Sequence, residues 1–199
     1  MLINHEQEFI CILPAHTASF SCYNMLLELF PETEKVEPHH GVVPELIEKH
    51  SSYFTFATIR NPFNRMRTAY FHRTNLEHAR RYARGLPQPE RSRYLTRTKE
   101  AIEAGFCDFV ANLSDDVTPY CEIFEDVRLD YLIRQRNFIK DFRGLPLPGV
   151  GSVEEKRQHV HPRVHVEKTY ELCPEAVDIM LDRYSEDFDR FYPDDRTPF

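Results

Sequence analysis

Residues 53–73 read Tyr-Phe-Thr-Phe-Ala-Thr-Ile-Arg-Asn-Pro-Phe-Asn-Arg-Met-Arg-Thr-Ala-Tyr-Phe-His-Arg, and their pattern decides the fold. From Tyr53 to Ile59 the residues are β-branched and aromatic, with no Gly or Pro, which predicts a buried strand. Arg60 ends the apolar run. Asn61 suits a helix N-cap, and Pro62 suits the first helical position, where its missing N–H costs nothing. From Phe63 the spacing turns helical, with Phe63, Met66, Tyr70 and Phe71 on one face. A strand ending in Arg and turning at once into a helix puts a cation beside open backbone N–H groups, a favourable place for a phosphate. Thr68, two turns on, adds a hydroxyl. The alternative is a buried strand whose Arg pairs with carboxylates elsewhere.

A second strand, loop and helix precede this stretch. Phe9 to Leu13 is a continuous apolar run suited to a central parallel strand. Pro14-Ala15-His16-Thr17-Ala18-Ser19-Phe20-Ser21 follows as a hydroxyl-rich loop, and Cys22 to Phe30 reads as a helix with Tyr23, Leu26, Leu27 and Phe30 inward. Strand, hydroxyl-rich loop and helix together cradle phosphates. The loop has no Gly and no Gly-Lys-Ser/Thr, so it is not a Walker P-loop, and a P-loop kinase or NTPase is disfavoured.

Arg60-x-Pro62-x-x-Arg65-x-x-Thr68-x-Tyr70 resembles the RxPxxRxxSxY element of sulfotransferases that use 3'-phosphoadenylyl sulfate (PAPS). The wording Phe-Ala-Thr-Ile-Arg-Asn-Pro-Phe-Asn-Arg is most similar to the carbohydrate, Golgi-type family 2 branch. The resemblance implies that Arg60 and Thr68 hold the 3'-phosphate of the nucleotide. It aligns Thr17-Ala18-Ser19-Phe20-Ser21 with the 5'-phosphosulfate loop, where the backbone with Thr17, Ser19 and Ser21 holds the ligand. His16 then stands where that family has a Lys that offsets charge on the departing oxygen. A protonated His, or the right neutral tautomer, can still donate one hydrogen bond there. In the family a base soon after the second strand takes the acceptor proton. Glu37, His39 and His40 are the candidates, with His40 preferred. A basic loop closing on the nucleotide is matched by Arg163, or by Lys156 and Arg157.

The resemblance covers nearly the whole chain in order. Phe106 to Leu113 reads as an amphipathic helix similar to the family's Phe-x-x-Phe-Val segment. A strand at Leu129 to Ile133 and the stretch to Phe142 match the family at Asp130, Asn137, Asp141 and Phe142, with Arg136 where Glu is usual. Pro174 to Phe188 reads as one amphipathic helix with Val177, Met180, Leu181, Tyr184 and Phe188 as a core stripe. Thr33 to Glu37 reads as a short strand and Val43 to His50 as a short helix. Residues 74–104 form two polar, Arg-rich helical stretches broken by Gly85-Leu86-Pro87-Gln88-Pro89, either a solvated face or an electropositive rim for an anionic acceptor. Leu145 to Ser152 reads as an extended loop and candidate lid.

At 199 residues the chain is expected to be a single domain, 1–199, large enough for a three-layer core. A net charge of −7 argues against a general nucleic-acid binder. The opening Met-Leu-Ile-Asn-His-Glu-Gln-Glu reads as polar, no secretory leader, and no apolar run reaches transmembrane length. Five scattered cysteines without metal spacing read as reduced thiols of a cytoplasmic protein. His159, His161 and His165 have Pro162 among them and do not read as a metal tract.

The expectation is therefore an α/β domain with a central, mainly parallel sheet and helices on both faces, a P-loop-NTPase-like sulfotransferase fold. The implied reaction moves a sulfuryl group from PAPS to an acceptor hydroxyl, with a carbohydrate expected, and leaves 3',5'-adenosine diphosphate (PAP). No metal, nucleic acid or membrane is required. The rival reading is a catalytically weak or inactive sulfotransferase-like protein that binds the nucleotide or an anionic glycan.

Overall fold

The computed structural model describes residues 1–38, 40–112, 117–153 and 172–198, apart from the side chains of residues 77, 78, 81 and 82. In chain order the elements are β1 (Leu2–Asn4), β2 (Phe9–Ile12), α1 (Ser19–Leu29), β3 (Glu34–Lys35), α2 (Pro44–Lys49), β4 (Phe54–Ile59), α3 (Pro62–Thr74), α4 (Leu76–Arg84), α5 (Glu90–Asn112), α6 (Tyr120–Ile123), β5 (Tyr131–Arg134), α7 (Phe138–Arg143), α8 (Pro174–Arg183) and α9 (Ser185–Phe191). The chain divides into two compact units: Met1–Arg60 with Tyr120–Val166, and Asn61–Pro119 with Glu167–Phe199.

The first unit is α/β. Its sheet has the order β3-β1-β2-β4-β5. β2, β4 and β5 are parallel, with Ile12 opposite Ala57 and Ile59 opposite Arg134. β1 pairs antiparallel with β2 and with β3, so the sheet is mixed rather than mainly parallel. The reason is connection length. Only residues 5–8 join β1 to β2, and so short a link permits only a hairpin. Asn4 Oδ1 accepts the Gln7 amide at 2.7 Å and closes that turn. The opening residues that read as polar therefore contain a strand, and Met1, Leu2 and Ile3 are buried.

One core cluster joins Phe9, Cys11 and Leu13 to Met25 and Leu26 of α1, Phe56 of β4, Ile133 of β5 and Phe142 of α7. Phe9 anchors it, with ring centroids 5.6 Å from Phe30 and 5.7 Å from Phe56. The alternating residues Ile10, Ile12, Ala57 and Ile59 are also buried, which is why β2 and β4 read as continuous apolar runs. Leu145, Leu147 and Val150 belong to the same core. The stretch expected as a lid is a packed segment, because its three apolar side chains are buried.

The second unit is helical. Asn61 caps α3 as its sequence predicts: its side chain accepts the Phe63 amide at 3.0 Å. Its Nδ2 also donates to the Asp195 carbonyl at 2.7 Å. Phe63, Met66 and Tyr70 are buried, and the Tyr70 ring packs 5.1 Å from both Phe106 and Phe109 of α5. α4 and α5 are the two predicted Arg-rich stretches. Arg91 turns back to donate to the carbonyls of Ala83 and Arg84, so it completes the C-terminus of α4. Gly105, at φ 83°, kinks α5 just before Phe106. The last predicted helix is two, divided at Tyr184, whose hydroxyl donates to the Val117 carbonyl. Among the described residues no helix is long and apolar enough to cross a membrane.

Asn61→Ala removes the cap and the Asp195 contact together, and the expected loss is about 1–2 kcal/mol in urea unfolding. Asn61→Ser keeps a capping acceptor and loses the amide donor, so it should fall between the wild type and Asn61→Ala. Equal losses for the two variants would show that the cap contributes nothing.

Candidate functional site

The first unit brings together the loop after β2 and the end of β4, because those strands are parallel neighbours. Two loop residues, His16 and Ala18, take left-handed backbone at φ 67°. Each such conformation costs a non-glycine residue about 1 kcal/mol or more. They turn the chain sharply so that α1 starts at Ser19, three residues earlier than its apolar pattern suggests. No side chain caps α1 and no acidic residue lies in its first turn. The positive end of its dipole is therefore offset by no carboxylate of that turn.

Thr17 secures the loop from inside. Its Oγ1 donates to the Pro14 carbonyl at 2.7 Å and lies 2.6 Å from Thr58 Oγ1. A hydroxyl has one proton, so Thr17 gives its own to Pro14 and Thr58 donates to Thr17. Both threonines are fully buried. The Thr17 hydroxyl, expected among the ligand-holding groups, is thus engaged within the fold. Ser19 is buried, Ala18 and Ser21 are half-buried, and Phe20 stands 52% exposed.

Arg60 follows β4 directly. Its Nη1 lies 3.5 Å from the His16 carbonyl, so the guanidinium reaches the loop. Tyr120 fixes its backbone: the Arg60 amide donates to the Tyr120 hydroxyl at 2.8 Å, and that hydroxyl donates to the Arg60 carbonyl at 3.0 Å. Tyr120 is buried and stacks on Phe124 at 5.7 Å. The part Tyr120 plays is not legible in the sequence. Its only local signal is a Tyr beginning a short apolar turn, Tyr120 to Phe124.

Among the base candidates, His40 reaches the loop. Its Nδ1 lies 2.8 Å from the Leu13 carbonyl. A carbonyl only accepts, so Nδ1 carries the proton and Nε2 is the basic nitrogen of the neutral ring. Glu37 instead pairs with Lys35 at 2.7 Å on the exposed β3 edge. His39 lies outside the described residues, as do Lys156, Arg157, His159, His161, Arg163 and His165. Thr68 belongs to the second unit, on α3, where its hydroxyl donates to the Asn64 carbonyl one turn back at 2.9 Å. Arg65, also in that unit, is 2% exposed and donates to the Thr118 carbonyl. Among the described residues no three His, Cys, Asp or Glu side chains gather as metal ligands.

Comparison with family models, curated proteins and solved structures gives no match to this chain.

The Thr17–Thr58 contact should behave as a coupled pair. Thr17→Val and Thr58→Val should each cost about 1–3 kcal/mol, because each leaves a buried partner unsatisfied. The double variant should cost less than their sum by about 1 kcal/mol. Strict additivity in urea denaturation would mean that the hydroxyls do not bond.

Proposed function

We propose that the protein is a sulfotransferase that moves a sulfuryl group from PAPS to an acceptor hydroxyl, with a sugar as the expected acceptor. The observation that carries this reading is a sharply turned loop that opens a helix without a first-turn carboxylate, reached from the end of β4 by the Arg60 guanidinium, 3.5 Å from the His16 carbonyl. A helix N-terminus and serine hydroxyls on one turn form a chemistry matched to a phosphosulfate, and the neighbouring Arg60 offers a cation to a second phosphate. The family resemblance of Arg60 to Tyr70 supplies the nucleotide. In this reading the α/β unit is a P-loop-NTPase-like sulfotransferase fold.

The step needs little covalent chemistry from the protein. The acceptor oxygen attacks sulfur, the bond from sulfur to the bridging phosphate oxygen breaks, and PAP leaves. His40 Nε2 takes the acceptor proton, its ring held by the Leu13 carbonyl. His16 donates to the departing oxygen in the position of the family's Lys. Arg60 meets the 3'-phosphate, with its backbone held by Tyr120. Backbone amides of the loop with Ser19 and Ser21 hold the 5' end.

A second reading keeps the nucleotide and drops the turnover. Two observations favour it: His16 replaces the Lys, and the Thr17 hydroxyl is engaged with Pro14 and Thr58. Tight binding of PAP with no product across many acceptors is its signature.

Two variants test the assignment. Arg60→Ala should weaken PAPS about 10- to 100-fold while leaving adenosine 5'-phosphosulfate, which lacks the 3'-phosphate, nearly unchanged. An equal loss for both nucleotides removes Arg60 from the 3'-phosphate. His16→Ala should lower kcat by about tenfold or more with little change in the KM for PAPS. An unchanged kcat would make His16 a bystander.

A further inference from the structure

Four of the five cysteines meet in pairs that their spacing in the sequence conceals. Cys11 of β2 and Cys22 of α1 lie with their Sγ atoms 3.9 Å apart, both fully buried in the first unit. In the second unit the backbone N–H of Cys173 donates to Cys107 Sγ at 2.9 Å. Cys107 lies on α5, and Cys173 is the residue at which α8 starts. Both are half-buried, so a small oxidant can reach them.

We propose that Cys107 and Cys173 form a redox-active dithiol, a modification site that closes to an intrachain disulfide with a low-molecular-weight disulfide as oxidant. One protein thiolate attacks a sulfur of the oxidant, whose S–S bond breaks and releases one thiolate. The second protein thiolate attacks the mixed disulfide and releases the other. The two protein thiols lose two electrons, one oxidant disulfide becomes two thiols, and those thiols carry the two protons. The bond would tie α5 to the start of α8 within the helical unit. Burial, followed by the neighbouring Cys173 thiol, pushes the Cys107 thiol up. The exchange therefore speeds up as pH rises above neutral. Cys11 and Cys22 are the internal reference. Their Sγ atoms are 3.9 Å apart, yet burial pushes the Cys11 thiol well up and no solvent reaches either sulfur.

The test exposes the full chain to oxidised glutathione, blocks remaining thiols with N-ethylmaleimide, and maps peptides by mass spectrometry. The expected product is a peptide pair linked through Cys107 and Cys173, lighter by about 2 Da, forming at least tenfold faster than any Cys11–Cys22 link. Cys107→Ser should leave Cys173 as a lasting glutathione adduct, because the resolving thiol is gone. Three results would overturn the proposal: stable glutathione adducts on both cysteines of the wild type, linkage of either one to Cys121, or oxidation of Cys11 and Cys22 at the same rate.

Discussion

The hydrogen bond between Thr17 and Thr58, at 2.6 Å, holds the loop after β2 against the end of β4. The register of β2 on β4 ends at Ile12 and Ala57, so this side-chain bond lies at the edge of the ladder. Within that loop His16 and Ala18 adopt left-handed backbone, a combined cost of about 2 kcal/mol or more. A buried hydroxyl pair whose loss leaves unsatisfied groups is worth a comparable amount. The turn is therefore held from within by two threonines, and from the β4 side by Tyr120 on both backbone groups of Arg60. Everything proposed for the site depends on that fixed turn: the start of α1, the reach of the Arg60 guanidinium and the carbonyl that orients His40.

This arrangement separates groups that hold the site from groups that can act in it. Thr17, Thr58 and Tyr120 are buried and bonded to their neighbours. Arg60 and Ser21 are half-buried, and His40 is exposed. A rigid inner layer under an accessible outer one suits binding of a charged ligand, since the polar groups are positioned before the ligand arrives.

The sequence was most readable where one period ran uninterrupted. β2 and β4 were legible because both are buried on two faces, and α3 because Asn61, Pro62 and the Phe63, Met66, Tyr70 spacing agree. Three-residue β1 could not show a period, and its apolar Leu2 and Ile3 stood in a polar context. The split at Tyr184 was hidden because its side chain continues the apolar stripe while its backbone leaves the helix at φ −109° and ψ 21°. Leu145, Leu147 and Val150 looked like a loop because Pro and Gly separate them, although all three face the core. At the site, the strand-to-helix turn marked Arg60, and the resemblance supplied His16 and His40. Thr58 and Tyr120 act through contacts 41 and 60 residues away in the chain, which no local spacing reveals. The cysteine pairs were hidden for the same reason.

The central claim is that the turn between β2 and α1, with Arg60, recognises a nucleotide carrying a 3'-phosphate. Calorimetric titration of the intact protein with 3',5'-adenosine diphosphate and with 5'-AMP tests it most directly. The account predicts at least about tenfold tighter binding of the 3'-phosphorylated nucleotide, the contribution of one charge-assisted contact to Arg60. Equal affinity for the two, or no binding of either, would contradict it.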